Sequence, residues 1–568
     1  MNYQVIDTPQ FARELVIYEV ATPNFTTTGG PESGTFASLA EKMPYLQDLG
    51  VNAIWLSGHQ LCNGTHFYNI WNEYACIRPD VLDPRLGSEE DFRAMVDCAH
   101  RHSIRVLLDV ITHGVMRDSP LVAEHPSWFK EGTWGMADFD WFGGHQDLDD
   151  WWVQTWSRYV QQFGIDGFRL DVATYRNDLW AAVRKRAADA GHPIVILAEN
   201  GPAVRGVVDM LQKGETIMES FGETPSLGLL DNVAQYCRDW QRGLTETYTA
   251  SIYYQDGTVQ EQPELRLVRE PDRKELIPCP SGAAYETHKA VFRIENARLD
   301  KPVRNVVVRN NQNRVWNSNL DGILTVDYRI ETCISQNTLY LQIPLRVQDG
   351  QMMSVQLSCH DNGWEGFPPE ENPYAARGRR HIMGYSVLLS PAVPILMSGE
   401  EFDAGYRPLP HLSARLYEKE NLGGGRWLYG SWIDWEQLNH PDKRAMLEDT
   451  KRLLAIRRKF SHLISPCLMG EAQARCIPLP SSQPRLPVPY LYLSQDSGEG
   501  LLVMANPSQT ESAALQIDFH TALAPGCSYT AAPLFGMEPF CKELDAQALS
   551  KEVWRLLPDC RPGGGVGV

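Results

Sequence analysis

A chain of 568 residues has room for two to four domains and a large core. Its net charge of −19 and pI near 5.3 argue against a nucleic-acid backbone or an anionic bilayer as partner, and leave neutral or cationic small molecules, sugars among them. With 16 Trp, 22 Tyr and no low-complexity tract, this is not the composition of a disordered chain.

Met1 to Arg13 holds no apolar run flanked by basic residues, and no stretch approaches the roughly 20 apolar residues of a membrane span. The 12 Cys stand singly with no C-x-x-C pair, which argues against zinc or thioredoxin-like chemistry. Reduced thiols in a cytoplasm are the expectation.

Leu15–Ala21 is the first apolar run. A helical stripe of Leu39, Met43, Leu46 and Leu49 follows, stopped by Gly50, and Val51–Ser57 reads as a buried strand. Ser88 with Asp91 forms a capping box ahead of Phe92, Met95, Val96 and Ala99, and Ile104–Asp109 is the next strand. Strand–helix alternation of this kind predicts parallel strands with right-handed crossovers. An irregular, Trp-rich excursion then ends in a helix near Asp147–Gln162; loops this long are usually functional.

The stretch Ile165–Asp171 carries the first chemical signal. On a strand Arg169 and Asp171 share one face and Phe168 and Leu170 the other. This suits a barrel strand packed outward on helices, its last inward residues at the open mouth; a structural Arg–Asp ion pair is the plain alternative. Ile104–Asp109, Ile194–Glu199 and Ser354–Asp361 also end in acids, and a further strand is expected at Thr216–Phe221. From about 248 to 346 short β-rich runs without helical period predict an inserted β module. The alternation returns with Ser354–Asp361, Arg379–Leu389 as helix, Pro394–Ser398 as strand and a long helix near Lys443–Lys459.

The predicted architecture is an α/β chain, a (β/α)8 TIM barrel with a loop subdomain after strand 3, a β-rich insert between strands 6 and 7, and a C-terminal β-sandwich domain. The barrel takes residues 1–109, 165–247 and 347–462, the loop subdomain 110–164, the insert 248–346 and the sandwich 463–560, with 561–568 as a disordered tail.

In such a barrel Asp171, Glu199 and Asp361 are expected to meet at one mouth. Paired carboxylates roughly 5–5.5 Å apart are what retaining glycoside hydrolysis needs, one as nucleophile and one as acid/base. A third acid raises the acid's pKa by repulsion, while Arg169 keeps the nucleophile ionised.

These residues resemble glycoside hydrolase family 13, the α-amylase family, over nearly the whole chain. Its second signature region looks like Gly167–Asp171, with Asp171 as nucleophile and Arg169 as its partner. The third resembles Leu197–Glu199, with Glu199 as acid/base. The fourth resembles His360-Asp361, with Asp361 stabilising the transition state and His360 binding sugar. His66-Phe67-Tyr68, with Tyr74 six residues after Tyr68, is similar to the family's aromatic platform, Tyr68 stacking on glucose and His66 binding a hydroxyl. The first region departs: Asp109-Val110-Ile111-Thr112-His113 is one residue short, with Thr112 for an Asn that ligates calcium in many members. The implied cofactor set is therefore none, with calcium doubtful. Asp109 and His113 are candidate sugar contacts, His113 weighed against a plain loop histidine. Cys359 stands for the usual Asn, and Asn72 where an Asp is common. Val172 after the nucleophile is seen in members cutting either α-1,6 or α-1,4 bonds.

Other aromatics and acids divide two ways. Trp128, Trp134 and Trp141 read as sugar platforms or as core of the excursion, with core favoured for Trp151 and Trp152. Trp364 is a candidate acceptor subsite, Glu400 and Glu401 line the mouth or form ion pairs, and His102 and His192 read as surface residues. The resemblance implies an α-glucosidase or α-amylase type hydrolase acting on short α-gluco-oligosaccharides through a covalent intermediate, without nucleic-acid or membrane partners. A transglycosylase or sugar isomerase is the alternative, and a non-catalytic carbohydrate-binding scaffold the remote one. For the insert, narrowing the cleft, mediating a homo-oligomer and binding sugar all stay open.

Overall fold

The computed structural model describes residues 2–62, 73–133, 135–200, 204–212, 247–310, 315–319, 330–344, 351–357, 359–360, 379–408, 431–484, 486–508, 510–559 and 562–568. Eight parallel strands close into a barrel: Ile17–Ala21, Ala53–Ser57, Arg105–Val110, Gly167–Leu170, Val195–Ala198, Met210–Gln212, Met352–Gln356 and Val393–Met397. Each pairs with its neighbours in chain order and the last pairs with the first, so the C-terminal strand ends share one mouth. This is the expected (β/α)8 barrel.

Local chemistry explains the elements. Ser88 and Asp91 cap the helix Glu89–Arg101 reciprocally, and Phe92, Met95, Val96 and Ala99 are its buried face. Gly50 ends the helix Met43–Leu49 at φ 105°, a conformation that suits glycine. In the fourth strand Phe168 points outward, its ring 5.5 Å from that of Trp156 on helix Gln146–Phe163 and 5.6 Å from that of Trp180 on helix Asn177–Asp189. A Cβ on Gly167 would lie 2.3 Å from the Val195 carbonyl oxygen, so the approach of strands four and five requires glycine there.

The sixth strand differs from expectation. It is Met210–Gln212, upstream of Thr216–Phe221, which lies outside the described residues. The run Val207–Gln212 is interrupted by Asp209, a residue that argues against a buried strand when read alone. In the fold Asp209 is 1% exposed and fully engaged. It accepts from the Ile196 amide (2.7 Å) and the Thr8 hydroxyl (2.6 Å), and pairs with the buried Arg184.

Between the sixth and seventh strands two antiparallel sheets form around their own core, which includes Ile252, Phe292, Val306, Trp316 and Leu341. One contains Tyr248–Tyr254, Val259–Glu261, Val303–Asn310 and Val315–Asn317; the other is built on the hairpin Arg266–Pro278 with Ala283–Glu295. Gln4–Val5 pairs in parallel with Ala283–Ala284, so the start of the chain ties this β region to the barrel.

The C-terminal region is strand-rich, with Ala474–Pro478, Tyr490–Ser494, Gly500–Ala505 and Val566–Gly567 in its largest sheet. Two expectations are corrected here. Leu463 to Leu468 belong to a helix, Ser461–Leu468, not to the β region, and Leu463, Ile464, Cys467 and Leu468 join the main core. The tail expected to be disordered is ordered over its described residues 562–568. Val566–Gly567 pairs with Met504–Ala505, and Val566 and Val568 are buried, which offsets the entropy of ordering. Gly565, at φ 83°, passes so close to Asp559 that an added Cβ would sit 1.9 Å from its carboxylate oxygen.

Among the described residues no helix is long and apolar enough to cross a membrane, and the described cysteines are free thiols.

Candidate active site

Arg169 is the hub of the barrel mouth. The fourth strand aims it inward, where it is 2% exposed. Its Nη1 donates to Asp171 Oδ1 at 2.9 Å and contacts Asp109 Oδ1 at 3.3 Å; Nη2 donates to Glu199 Oε2 at 2.7 Å; Nε donates to Gln212 Oε1 at 3.1 Å. The third, fourth, fifth and sixth strands therefore each send one side chain, or the residue just past the strand, to one guanidinium. Burial works against the Arg169 charge, but Asp109 and Glu199 hold the guanidinium protonated, well above the ordinary arginine range.

Three carboxylates around one cation leave the cluster short of positive charge. Burial pushes the Asp171 carboxyl up to about 7; the Arg169 cation opposes the shift, and Glu199 and Asp109 add to it. A group of this kind in a cleft is where acid–base chemistry is sought.

Val172 follows Asp171 with φ at 63°, an uncommon conformation for a β-branched residue. The turn it makes directs the Val172 amide to Glu199 Oε2 at 2.8 Å. The same carboxylate oxygen thus receives Arg169 and a backbone N–H, which fixes Glu199 relative to Asp171. Thr112 secures the loop from below, its hydroxyl proton shared between the carbonyl oxygens of Asp171 and Ala173, the latter at 2.8 Å.

His113 stands on the other side of Asp171. Its Nε2 lies 3.6 Å from Asp171 Oδ2 and its Nδ1 3.5 Å from Asp138 Oδ1. Asp109 receives the Trp55 indole N–H at 2.8 Å and the Tyr74 hydroxyl at 2.6 Å. His360, buried on the segment after the seventh strand, is stacked on Tyr74 with ring centroids 4.5 Å apart.

Of the residues singled out in the sequence, Asp109, His113, Arg169, Asp171, Glu199 and His360 come together. Asp361, His66, Tyr68, Trp364, Asn72 and Trp134 lie outside the described residues. Trp128, Trp141 and Trp152 are buried in an aromatic stack, with Trp141 and Trp152 centroids 4.8 Å apart, so they are core of the excursion. Glu400 and Glu401 are wholly buried: Glu400 accepts from the Met397 amide, and Glu401 from Tyr18, Tyr45 and the Gly399 amide, so both are internal acceptors. His102 and His192 cap backbone carbonyls at helix-to-strand connections.

Sequence reasoning missed Glu19, Trp55 and Gln212. Glu19 is 1% exposed and accepts from His360 Nδ1 at 2.6 Å. The available signal was a lone charged residue inside the apolar run Ile17–Ala21.

A family model for the alpha amylase catalytic domain matches residues 19–131. The chain is 28% identical over 210 residues to an alpha-1,4-glucan:maltose-1-phosphate maltosyltransferase of Myxococcus xanthus, covering 31% of this chain and 31% of that protein. It is 24% identical over 188 residues to an intracellular maltogenic amylase of Bacillus subtilis, covering 29% of this chain and 31% of that protein. The chain thus spans about a third of the length of the curated relatives it matches. Two solved structures share the fold: a noncanonic maltogenic alpha-amylase AmyB from Thermotoga neapolitana and an alpha-amylase from Geobacillus thermoleovorans. The first has TM-score 0.56 and 15% identity, the second 0.58 and 13%, and each comparison covers 98% of both chains. With the barrel and these relatives in hand, the chain is similar to the α-amylase family, glycoside hydrolase family 13, the family-model match lying in residues 19–131.

Proposed function

We propose that this protein is a retaining α-glycoside hydrolase that acts on short α-gluco-oligosaccharides. The observation that supports this most directly is the single Arg169 guanidinium joining Asp171 to Glu199 at the barrel mouth. In this reading Glu199 protonates the glycosidic oxygen while Asp171 attacks the anomeric carbon, expelling the leaving sugar and forming a glycosyl ester. Glu199 then takes a proton from water, whose oxygen displaces Asp171 and restores both acids. Asp361, by the family resemblance, stabilises the positive charge of the transition state. Burial holds a proton on Asp171 towards neutral pH, so the attack requires its ionised form, which the Arg169 cation favours.

A second reading has the same first half and passes the glycosyl unit to another sugar; a relative named as a maltosyltransferase favours weighing it. A panel of maltose, isomaltose, trehalose, sucrose and short maltodextrins, with products followed by NMR, separates the two. Free sugar released first as the α anomer is expected. A predominance of longer or isomerised sugars selects transfer, and no turnover of any member sinks both.

The reading includes no calcium ion beside the nucleophile. Thr112 stands at the position of the family's calcium-ligating Asn and commits its hydroxyl to two backbone carbonyls. Dialysis against EDTA is expected to leave the melting temperature and kcat unchanged. A fall in either that calcium restores would contradict this. The cytoplasm is the proposed compartment, with a small oligosaccharide as the partner.

A further inference from the structure

We infer that Glu19 is a positioning residue, whose carboxylate sets the proton and ring orientation of His360 for the sugar; the inference rests on the glycosidase reading above. Glu19 reaches inward from the first barrel strand and His360 follows the seventh, so the contact spans the intervening eighth strand and joins residues 341 apart in the chain. Their separation, 2.6 Å from Glu19 Oε1 to His360 Nδ1, is that of a short, charge-assisted hydrogen bond.

The neighbouring groups decide which atom carries the proton. Nδ1 also lies 3.2 Å from the Tyr74 hydroxyl oxygen, but that hydroxyl spends its proton on Asp109 at 2.6 Å. With the Tyr74 proton spent on Asp109, the arrangement proposed has Nδ1 donating to Glu19 Oε1. The ring is held in plane by Tyr74 stacked at 21° and braced by the Trp55 edge at 5.8 Å. Nε2, on the opposite edge, is the atom that addresses a sugar hydroxyl in the glycosidase reading. A carboxylate that fixes one imidazole nitrogen to define the other is a general device for orienting histidine.

Burial argues against Glu19 being incidental. It is 1% exposed, and its Oε2 has no hydrogen-bond partner among the described residues. A carboxylate held in this way costs folding energy, which a glutamine or an apolar residue would avoid.

The test uses the full chain as wild type, Glu19→Gln, His360→Ala and the double variant. Glu19→Gln should lower kcat/KM on a short maltodextrin by about 10- to 100-fold, mostly in kcat, because the sugar contact is misaligned rather than removed. In the His360→Ala background the same change should cost no more than about twofold, since Glu19 acts only through that ring. Glu19→Asp, which keeps the charge on a shorter arm, should lose less than Glu19→Gln; it also carries the test if the glutamine variant does not fold. Independently of activity, a downfield imidazole N–H resonance should be present in the wild type and missing from both Glu19→Gln and His360→Ala. Additive losses in the double variant, or a resonance that survives Glu19→Gln, overturn the inference. A wild type that turns over no glucoside yet shows the resonance pattern refutes the glycosidase reading while leaving the Glu19–His360 pairing intact.

Discussion

Asp171→Asn should lower kcat on a maltodextrin by about 10⁴- to 10⁶-fold, because the amide cannot form or release a glycosyl ester. The fold should survive, since an amide oxygen still accepts from Arg169 Nη1. The same variant makes a prediction about pH. An unfolded Asp titrates near about 3.9, whereas burial holds the native Asp171 proton up to about 7. Between those values the unfolded chain binds fewer protons than the native one, so this residue's contribution to stability falls as pH rises through that window and is flat outside it. Asp171→Asn lacks the fall. Its melting temperature should therefore exceed that of wild type above about pH 7, with the gap closing towards about pH 4. Wild-type activity should rise with pH towards 7 as the nucleophile ionises. Calorimetry across this range, with kcat measured alongside, checks both halves. A near-normal rate in Asp171→Asn would remove the residue from the mechanism.

Arg169→Met should be the most damaging single change to stability at the mouth. It leaves Asp109, Asp171 and Glu199 without their shared cation in a site where the guanidinium itself is 2% exposed. Removing one partner of a buried ion pair costs about 3–5 kcal/mol. The loss should be smaller at low pH, where a bound proton can replace the missing charge, and larger above neutrality. Arg169→Lys should recover only part, because an ammonium on a flexible stem cannot span carboxylates that the planar fork reaches together. Urea midpoints at several pH values measure the effect. Equal destabilisation at all pH values would mean that the guanidinium acts by packing, including its stacking on Trp55 at 4.7 Å, and not by charge.

Legibility followed how local each signal was. The period-2 pattern of Ile165–Asp171 identified which face of the fourth strand carries the chemistry, because alternation is a property of a few adjacent residues. The capping box at Ser88 and the stop at Gly50 were legible for the same reason. The sixth strand was misplaced because Asp209 is tolerated only through Arg184, Thr8 and the Ile196 amide, which are distant in sequence. The tail was misjudged because its pairing partner, Met504–Ala505, lies some sixty residues earlier in the chain.

By itself, then, the sequence determined the barrel, the family resemblance and the candidacy of Asp109, Arg169, Asp171, Glu199 and His360, since strand period and motif order are written locally. The tertiary structure alone decided that one guanidinium serves three of the acids, that Val172 turns its amide onto Glu199, and that Glu19 reaches His360. Those are contacts between strand ends, and closing a barrel is what brings strand ends together.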